Sequence, residues 1–170
     1  DSWCNPGDLI TAVDVGFVMG KPHYQFVDRI GDTFRWRSEN VSTNEVGEIL
    51  NANSQVEIAN VYGVDIPATE GKAGMVSVAL NPGQAFDPEE FSAYVTSNLP
   101  GFAQPVFVRI QADISTTGTF KLVKGALRKQ SFHLDQVGDD AIYVMLPRAS
   151  HYQILDSETY SAVMNGTVGY

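Results

Sequence analysis

With 170 residues, 44% of them apolar and 18% charged, the chain can bury one core plus a small lobe and is not a disordered tail. Its 11 basic residues against 20 acidic ones leave a net charge of −9, which excludes a duplex-binding surface of clustered Lys and Arg and hence a nucleic acid partner. No stretch nears the ~20 apolar residues of a bilayer span, no basic-then-apolar leader opens the chain, and the lone Cys4 allows no internal disulfide, so an intracellular protein is expected. The first residue, Asp1, reads as the start of an excised or processed piece.

In chain order, VDVGFVMGKPHYQFVDRIG (13–31) reads as two strands around Gly20-Lys21-Pro22. Ser42-Thr43-Asn44-Glu45 is a capping box, and Val46, Ile49 and Leu50 then recur as one apolar helical stripe. VEIANVYGV (56–64) and AGMVSVAL (73–80) have the composition of buried strands. FDPEEF starts a second helix: Asp87 caps, Pro88 takes the first helical position, and Glu89 and Glu90 face the positive dipole end. Phe86 and Phe91 have the spacing of a hydrophobic staple, Phe91, Tyr94, Val95 and Leu99 form the buried face, and Pro100-Gly101 ends the helix. PVFVRIQ (105–111) and AIYVML (141–146) read as further strands, and Ser157–Met164 as a third helix capped by Asp156 or Ser157 and stopped by Gly166. Helices and strands mix without a strict βαβ rhythm. The expected fold is α+β, with helices packed on small mixed or antiparallel sheets.

Self-contained chemistry is scarce. His23, His133 and His151 lack the spacing of a metal motif, so no metal site is expected. Cys4 has no evident partner base, and neither a GxSxG elbow nor a GxxxxGK[ST] phosphate loop is present. Asp139-Asp140 looks like a turn.

Two segments differ from ordinary scaffold. STTGTFKLVKG (115–125) leads through small hydroxyl residues into Lys121. It is either a polar turn before a surface strand or a loop that carries an ammonium to a site of negative charge. DRIGDTFRWRSENVSTNE (28–45) packs Arg29, Asp32, Arg35, Arg37, Glu39 and Asn40 beside Phe34 and Trp36. It is either a twisted edge ribbon of alternating solvated charges or part of a binding site.

These stretches, with VYGVDIPATEGKAGMVSV (61–78), FVRI (107–110) and TTGTFKLVKGALRKQSF (116–132), resemble the carboxy-terminal part of the fatty acid transport protein and very-long-chain acyl-CoA synthetase family of adenylate-forming, AMP-binding ligases. The resemblance runs from about Gly7 to the end. It implies that residues 1–31 are the terminal strands of a large ATP-binding domain plus a hinge, and that residues 32–170 are a mobile C-terminal cap domain. It also implies a two-step reaction. A fatty carboxylate attacks the α-phosphate of MgATP, giving acyl-adenylate and pyrophosphate, and the thiol of coenzyme A then displaces AMP. ATP, Mg2+ and CoA are thus substrates of the full enzyme, none bound by this chain alone, and the isolated chain is expected to be inactive. Its partner is the large N-terminal domain of the same polypeptide. Membrane association, if the family's applies, runs through regions absent here, which leaves a cytoplasmic site or a peripheral one on an internal or plasma membrane.

The resemblance gives roles residue by residue. Lys121 matches the catalytic lysine. A compact cation between carboxylate and α-phosphate aligns the two and offsets their repulsion, and Gly118 eases movement of its loop; Lys124 is the weaker candidate. Asp8, in PGDL, matches the aspartate that holds the ATP ribose hydroxyls, although Pro6 stands where the family has threonine, and Arg29 matches an arginine reaching the same ribose. Gly31 and Asp32 fall at the hinge. Arg35, Arg37, Ser38, Glu39 and Asn40 fall on the coenzyme A tunnel, the two arginines as local cations for the coenzyme's phosphates. Ser38 replaces a family glycine, and its hydroxymethyl group would narrow the channel for the pantetheine arm. Two other functions compete: a non-catalytic binding or regulatory cap-like module, and an acyl-AMP ligase with an acceptor other than coenzyme A.

Overall fold

The structure, a computed structural model, describes residues 8–13, 23–29, 33–112 and 124–170, the first two stretches by backbone alone. β1 (Asp8–Val13) and β2 (His23–Arg29) pair antiparallel, with Asp8 opposite Arg29 and Val13 opposite His23. β2 falls on the second strand read from the sequence, whereas β1 ends at Val13, where the first was expected to begin; the rest of that expected strand, with the Gly20-Lys21-Pro22 segment, lies outside the described residues. β3 (Thr33–Trp36) and β4 (Glu39–Ser42) form a second antiparallel pair.

Ser42 then starts α1 (Thr43–Asn51), and its hydroxyl accepts the Glu45 N–H at 3.3 Å, as the capping box requires. The predicted stripe buries Val46 and Leu50, while Gly47 brings the helix close to Ala59 and Val61. β5 (Val56–Val64) and β6 (Ala73–Leu80) pair antiparallel and occupy the predicted ranges. α2 (Pro88–Asn98) is the crossover that lets β7 (Phe107–Gln111) run parallel to β6. Asp87 accepts the N–H groups of Glu89 and Glu90, and the Phe86 and Phe91 rings meet at 5.3 Å. α3 (Lys124–Gln130), β8 (Ala141–Val144), β9 (Gln153–Ile154) and α4 (Ser157–Met164) complete the chain. Asp156 caps α4 through the Thr159 N–H.

The five-stranded sheet has the order β5-β6-β7-β8-β9 and is antiparallel except for β6–β7. Its residues Met75, Val76, Val78, Phe107 and Val108 are fully buried, and Phe91 and Val95 of α2 join them in one core. The fold is α+β with small mixed and antiparallel sheets, as expected.

Two strands are shorter than their apolar runs. β7 begins after Pro105, and β8 stops at Val144 rather than Leu146. α3 and β9 are absent from the sequence reading. α3 buries only Leu127 among its seven residues, so it has almost no periodic signal.

Candidate functional site

The hairpin of β3 and β4 is seated on the sheet by three buried apolar side chains, Phe34, Trp36 and Val41, which alternate with exposed Arg35 and Asn40. The Phe34 ring fills a slot made by two glycines paired across β5 and β6, Gly63 and Gly74. A methyl group at Gly63 would stand 2.7 Å from the Phe34 Cβ, inside contact distance, so the slot exists only because both residues lack side chains. One turn of chain away, Gly71 (φ +82°) bridges to Trp36, and the Lys72 N–H donates to the Arg35 carbonyl at 2.7 Å. Two of the stretches quoted from the sequence, 28–45 through DTFRW and 61–78 through VYGV and EGKAG, thus meet at one joint.

That joint presents a two-residue tip. Arg37 (φ +50°) and Ser38 (φ +68°) are both left-handed, the φ pattern of a type I′ turn, which matches the twist of the flanking strands. Neither residue type favours this region; L side chains cost ~1–2 kcal/mol there relative to the right-handed form. The Arg35 guanidinium donates to the Ser38 carbonyl at 3.3 Å and braces the tip. The Arg37 guanidinium lies 5.9 Å from the Trp36 ring centroid, in cation–π range. Glu39 and Asn40 are exposed on the returning strand, opposite Trp36 and Arg35. The segment is therefore the ribbon of alternating charges that its composition allowed, and its five candidate tunnel residues stand together at the tip.

Two pockets flank the hairpin. One, of about 190 Å³, is lined by Trp36, Arg37, Gln104, Met145, Arg148 and Tyr170 among others. The other, of about 210 Å³, is lined by Thr33, Phe34, Gly63, Asp65, Lys72 and Arg128 among others, and Lys72 forms an exposed ion pair with Asp65.

The backbone register sets Asp8 and Arg29 opposite each other at the open end of the β1–β2 pair. Lys121, Gly31 and Asp32 lie outside the described residues, as does Gly118. The rival lysine, Lys124, has a structural role: its Nζ donates to Thr43 Oγ1 at 2.7 Å, tying the start of α3 to the start of α1.

Sequence reasoning missed the buried network that supports this arrangement. Arg109 of FVRI is 4% exposed; its Nε donates to Asp140 at 2.7 Å and its Nη1 to Gln130, at the end of α3, also at 2.7 Å. Asp140 is in a turn, as read, but it is also the counter-ion of Arg109. Across the sheet from Arg109, Ser77 hydrogen-bonds the Tyr62 hydroxyl at 2.9 Å, and burial pushes that phenol up to about 12, a shift the Ser77 bond partly opposes. The one available signal was an arginine inside an otherwise apolar strand, since a buried charge needs a partner. His133 lies 3.0 Å from the Tyr160 hydroxyl, and His151 contacts Ser150. Among the described residues no group of three His, Cys, Asp or Glu is placed to hold a metal ion, and no helix is long and apolar enough to cross a membrane.

A family model for the C-terminal domain of AMP-binding enzymes matches residues 45–121. The mouse long-chain fatty acid transport protein 5 is 41% identical over 167 residues, covering 98% of this chain and 23% of its own length. The medium/long-chain-fatty-acid–CoA ligase FadD6 of Mycobacterium tuberculosis is 42% identical over 145 residues, covering 85% of this chain and 23% of its own length. Among solved structures, the amide bond synthetase McbA of Marinactinospora thermotolerans superposes with a TM-score of 0.60 at 28% identity, covering 72% of this chain and 24% of that one. The chain spans about a quarter of the length of the curated relatives it matches.

Proposed function

The chain belongs to the AMP-binding enzyme C-terminal domain family, and from that premise we propose that it is the cap of an ATP-dependent fatty acyl-CoA ligase. The observation that carries this reading is the 42% identity, over 145 residues, to a protein named for that reaction. Residues 1–31 then close a larger ATP-binding domain of the same polypeptide, and residues 32–170 swing against it. In the first half-reaction a fatty carboxylate displaces pyrophosphate from MgATP. Lys121 supplies the cation between the two anions, and Asp8 and Arg29 hold the ribose. Removing one such preorganised charge typically costs a factor of roughly 10²–10³ in rate.

In the second half-reaction the domain turns about Gly31 and Asp32 and presents the hairpin tip to coenzyme A. The geometry suits this task. The tip is exposed, yet it is fixed by Phe34 in its glycine slot and by the Gly71–Trp36 bridge, so it can form a wall of constant shape. Arg35 and Arg37 offer positive charge on a chain of net charge −9. The ligase as a whole would work inside the cell, in the cytoplasm or peripherally on a membrane.

The likeness to an amide bond synthetase, together with Ser38 at the tip, favours one second reading: the same adenylating chemistry with an acceptor other than coenzyme A.

The test uses the longer polypeptide that carries this chain. Lys121→Ala should reduce pyrophosphate release from fatty acid and MgATP by roughly 10²–10³, while thioester formation from supplied acyl-adenylate stays near wild type. Equal loss of both halves would remove the assigned role.

A further inference from the structure

We propose that Gly63 and Gly74 are positioning residues for the second half-reaction: their missing side chains set how deep the β3–β4 hairpin sits on the sheet, and with it the place of the tip that faces the acceptor thiol. This rests on the reading of the chain as a ligase cap. It adds to that reading two residues of β5 and β6, neither of which belongs to the hairpin.

The first observation is the course of the Phe34 ring. Gly63 and Gly74 are paired across β5 and β6, so a Cβ on either would point to the same face of the sheet. On that face a methyl at Gly63 would stand 2.7 Å from Phe34 Cβ and 2.9 Å from its Cγ, and a methyl at Gly74 would stand 3.2 Å from its Cζ. The side chain therefore lies across both strands, its root over Gly63 and its end over Gly74, in space that two side chains would otherwise fill. Phe34 is buried there.

The second is that the tightest contact is at the root of the side chain. A ring end can move with a change of rotamer, but a Cβ goes only where its backbone goes. An alanine at Gly63 must therefore displace β3 itself, by the ~1 Å that separates 2.7 Å from an ordinary carbon–carbon contact of about 3.5–4.0 Å. The Lys72 Cβ, 3.0 Å from the same point, crowds the methyl further.

The third is that backbone contacts hold the hairpin at this depth. The Arg35 carbonyl accepts the Lys72 N–H at 2.7 Å, and Trp36 bridges to Gly71, where an added methyl would overlap the Arg35 oxygen. Trp36 is the residue before the tip, so a shift of β3 passes directly to Arg37 and Ser38.

Glycine inside a strand weakens it, and here two such residues face each other. A hairpin that needed only an apolar anchor would be seated as well over larger side chains at ordinary packing distance. What the glycines add is close approach, and a fixed depth matters for a wall beside a thiol whose attack tolerates little misplacement.

The test follows the two half-reactions separately in the longer polypeptide: pyrophosphate release from fatty acid and MgATP, and thioester formation from supplied acyl-adenylate and coenzyme A. Gly63→Ala should lower kcat/KM of the second roughly tenfold or more, since a misplacement of ~1 Å costs up to ~10²-fold, and leave the first within about twofold of wild type. Gly74→Ala meets the end of the ring and the Pro105 Cα at 3.3 Å, and should lower the second about threefold. Adding Phe34→Leu, which removes the ring atoms that the new methyl meets, should recover most of that loss. Gly47→Ala is the control: its methyl would meet the sheet at 3.9 Å, an ordinary contact, and should change neither half-reaction.

A joint that serves stability alone gives another pattern. Both half-reactions would then fall together, in step with the folded fraction read from a thermal melt, and that result would overturn the proposal. An unchanged thioester rate in both alanine variants would overturn it too. Should Gly63→Ala fail to fold, Gly74→Ala decides: a loss that Phe34→Leu does not relieve refutes the slot as its cause. A wild-type polypeptide that forms acyl-adenylate but no thioester with coenzyme A would remove the ligase reading, and the positioning role with it.

Discussion

Replacing Ser38 by glycine should stabilise the protein, contrary to the usual cost of placing glycine in an ordered segment. Ser38 has φ +68°, and the left-handed region costs an L side chain ~1–2 kcal/mol that glycine does not incur. Against this, glycine loses more backbone freedom on folding, which offsets ~0.5–1 kcal/mol. The rest of the turn is unaffected, because Arg35 bonds the carbonyl of residue 38 rather than its side chain, and the side chain is exposed. The net expectation is a gain of about 0.5–1 kcal/mol, or roughly 1–4 °C in Tm for a domain of this size. Thermal unfolding followed by far-UV circular dichroism, wild type against Ser38→Gly, reads this directly. The tunnel reading adds a second readout in the longer polypeptide: faster thioester formation with adenylate formation unchanged. A lowered Tm would refute the assignment of strain to the turn, and unchanged rates would leave the serine without effect on the acceptor channel.

Two further outcomes follow from the interior. Arg109→Met should cost about 3–5 kcal/mol, the usual penalty for leaving one half of a buried pair uncompensated, with the lower end favoured because Asp140 keeps 24% of its side chain exposed; a urea titration losing less than 1 kcal/mol would show that the pair contributes little. Alkali should destabilise the fold from about pH 10: the Tyr62 phenol is raised to about 12 in the folded state by burial, so the stability it confers is complete below the unfolded value near 10 and declines as pH rises toward 12, by about 2–3 kcal/mol. Tyr62→Phe should make that part of the pH–stability curve shallower, the remaining slope coming from the buried Tyr152 and Tyr170 phenols that burial also pushes up, and an unaltered curve would contradict the assignment.

The sequence was legible where a local interaction dictates local structure. Asp87-Pro88, Ser42 with Glu45, and Asp156 each satisfy orphan N–H groups within three residues, and the helices begin where those residues stand. β5 and β6 were legible because their apolar runs are long and bounded. It was illegible where the decisive partner is remote. Arg109 meets Asp140 from 31 positions away, and no spacing rule links them. Phe34 depends on two glycines that lie together only after β5 and β6 pair. The turn at Arg37-Ser38 was hidden for another reason: glycine or asparagine would have announced a left-handed pair, and arginine with serine does not.

The same kind of remote contact holds the two elements that flank residues 113–123. Residue 121 lies between β7 and α3, and both of these are anchored. The first residue of α3 is tied to α1 through Lys124 and Thr43, and the last to β7 through Gln130 and Arg109. Because α1 follows β4 directly, these contacts join α3 to the hairpin joint as well as to the sheet. The Lys124–Thr43 contact therefore joins two segments 81 positions apart in one packed body, and Thr43→Val, which removes the acceptor, should lower Tm by an amount that thermal unfolding reads.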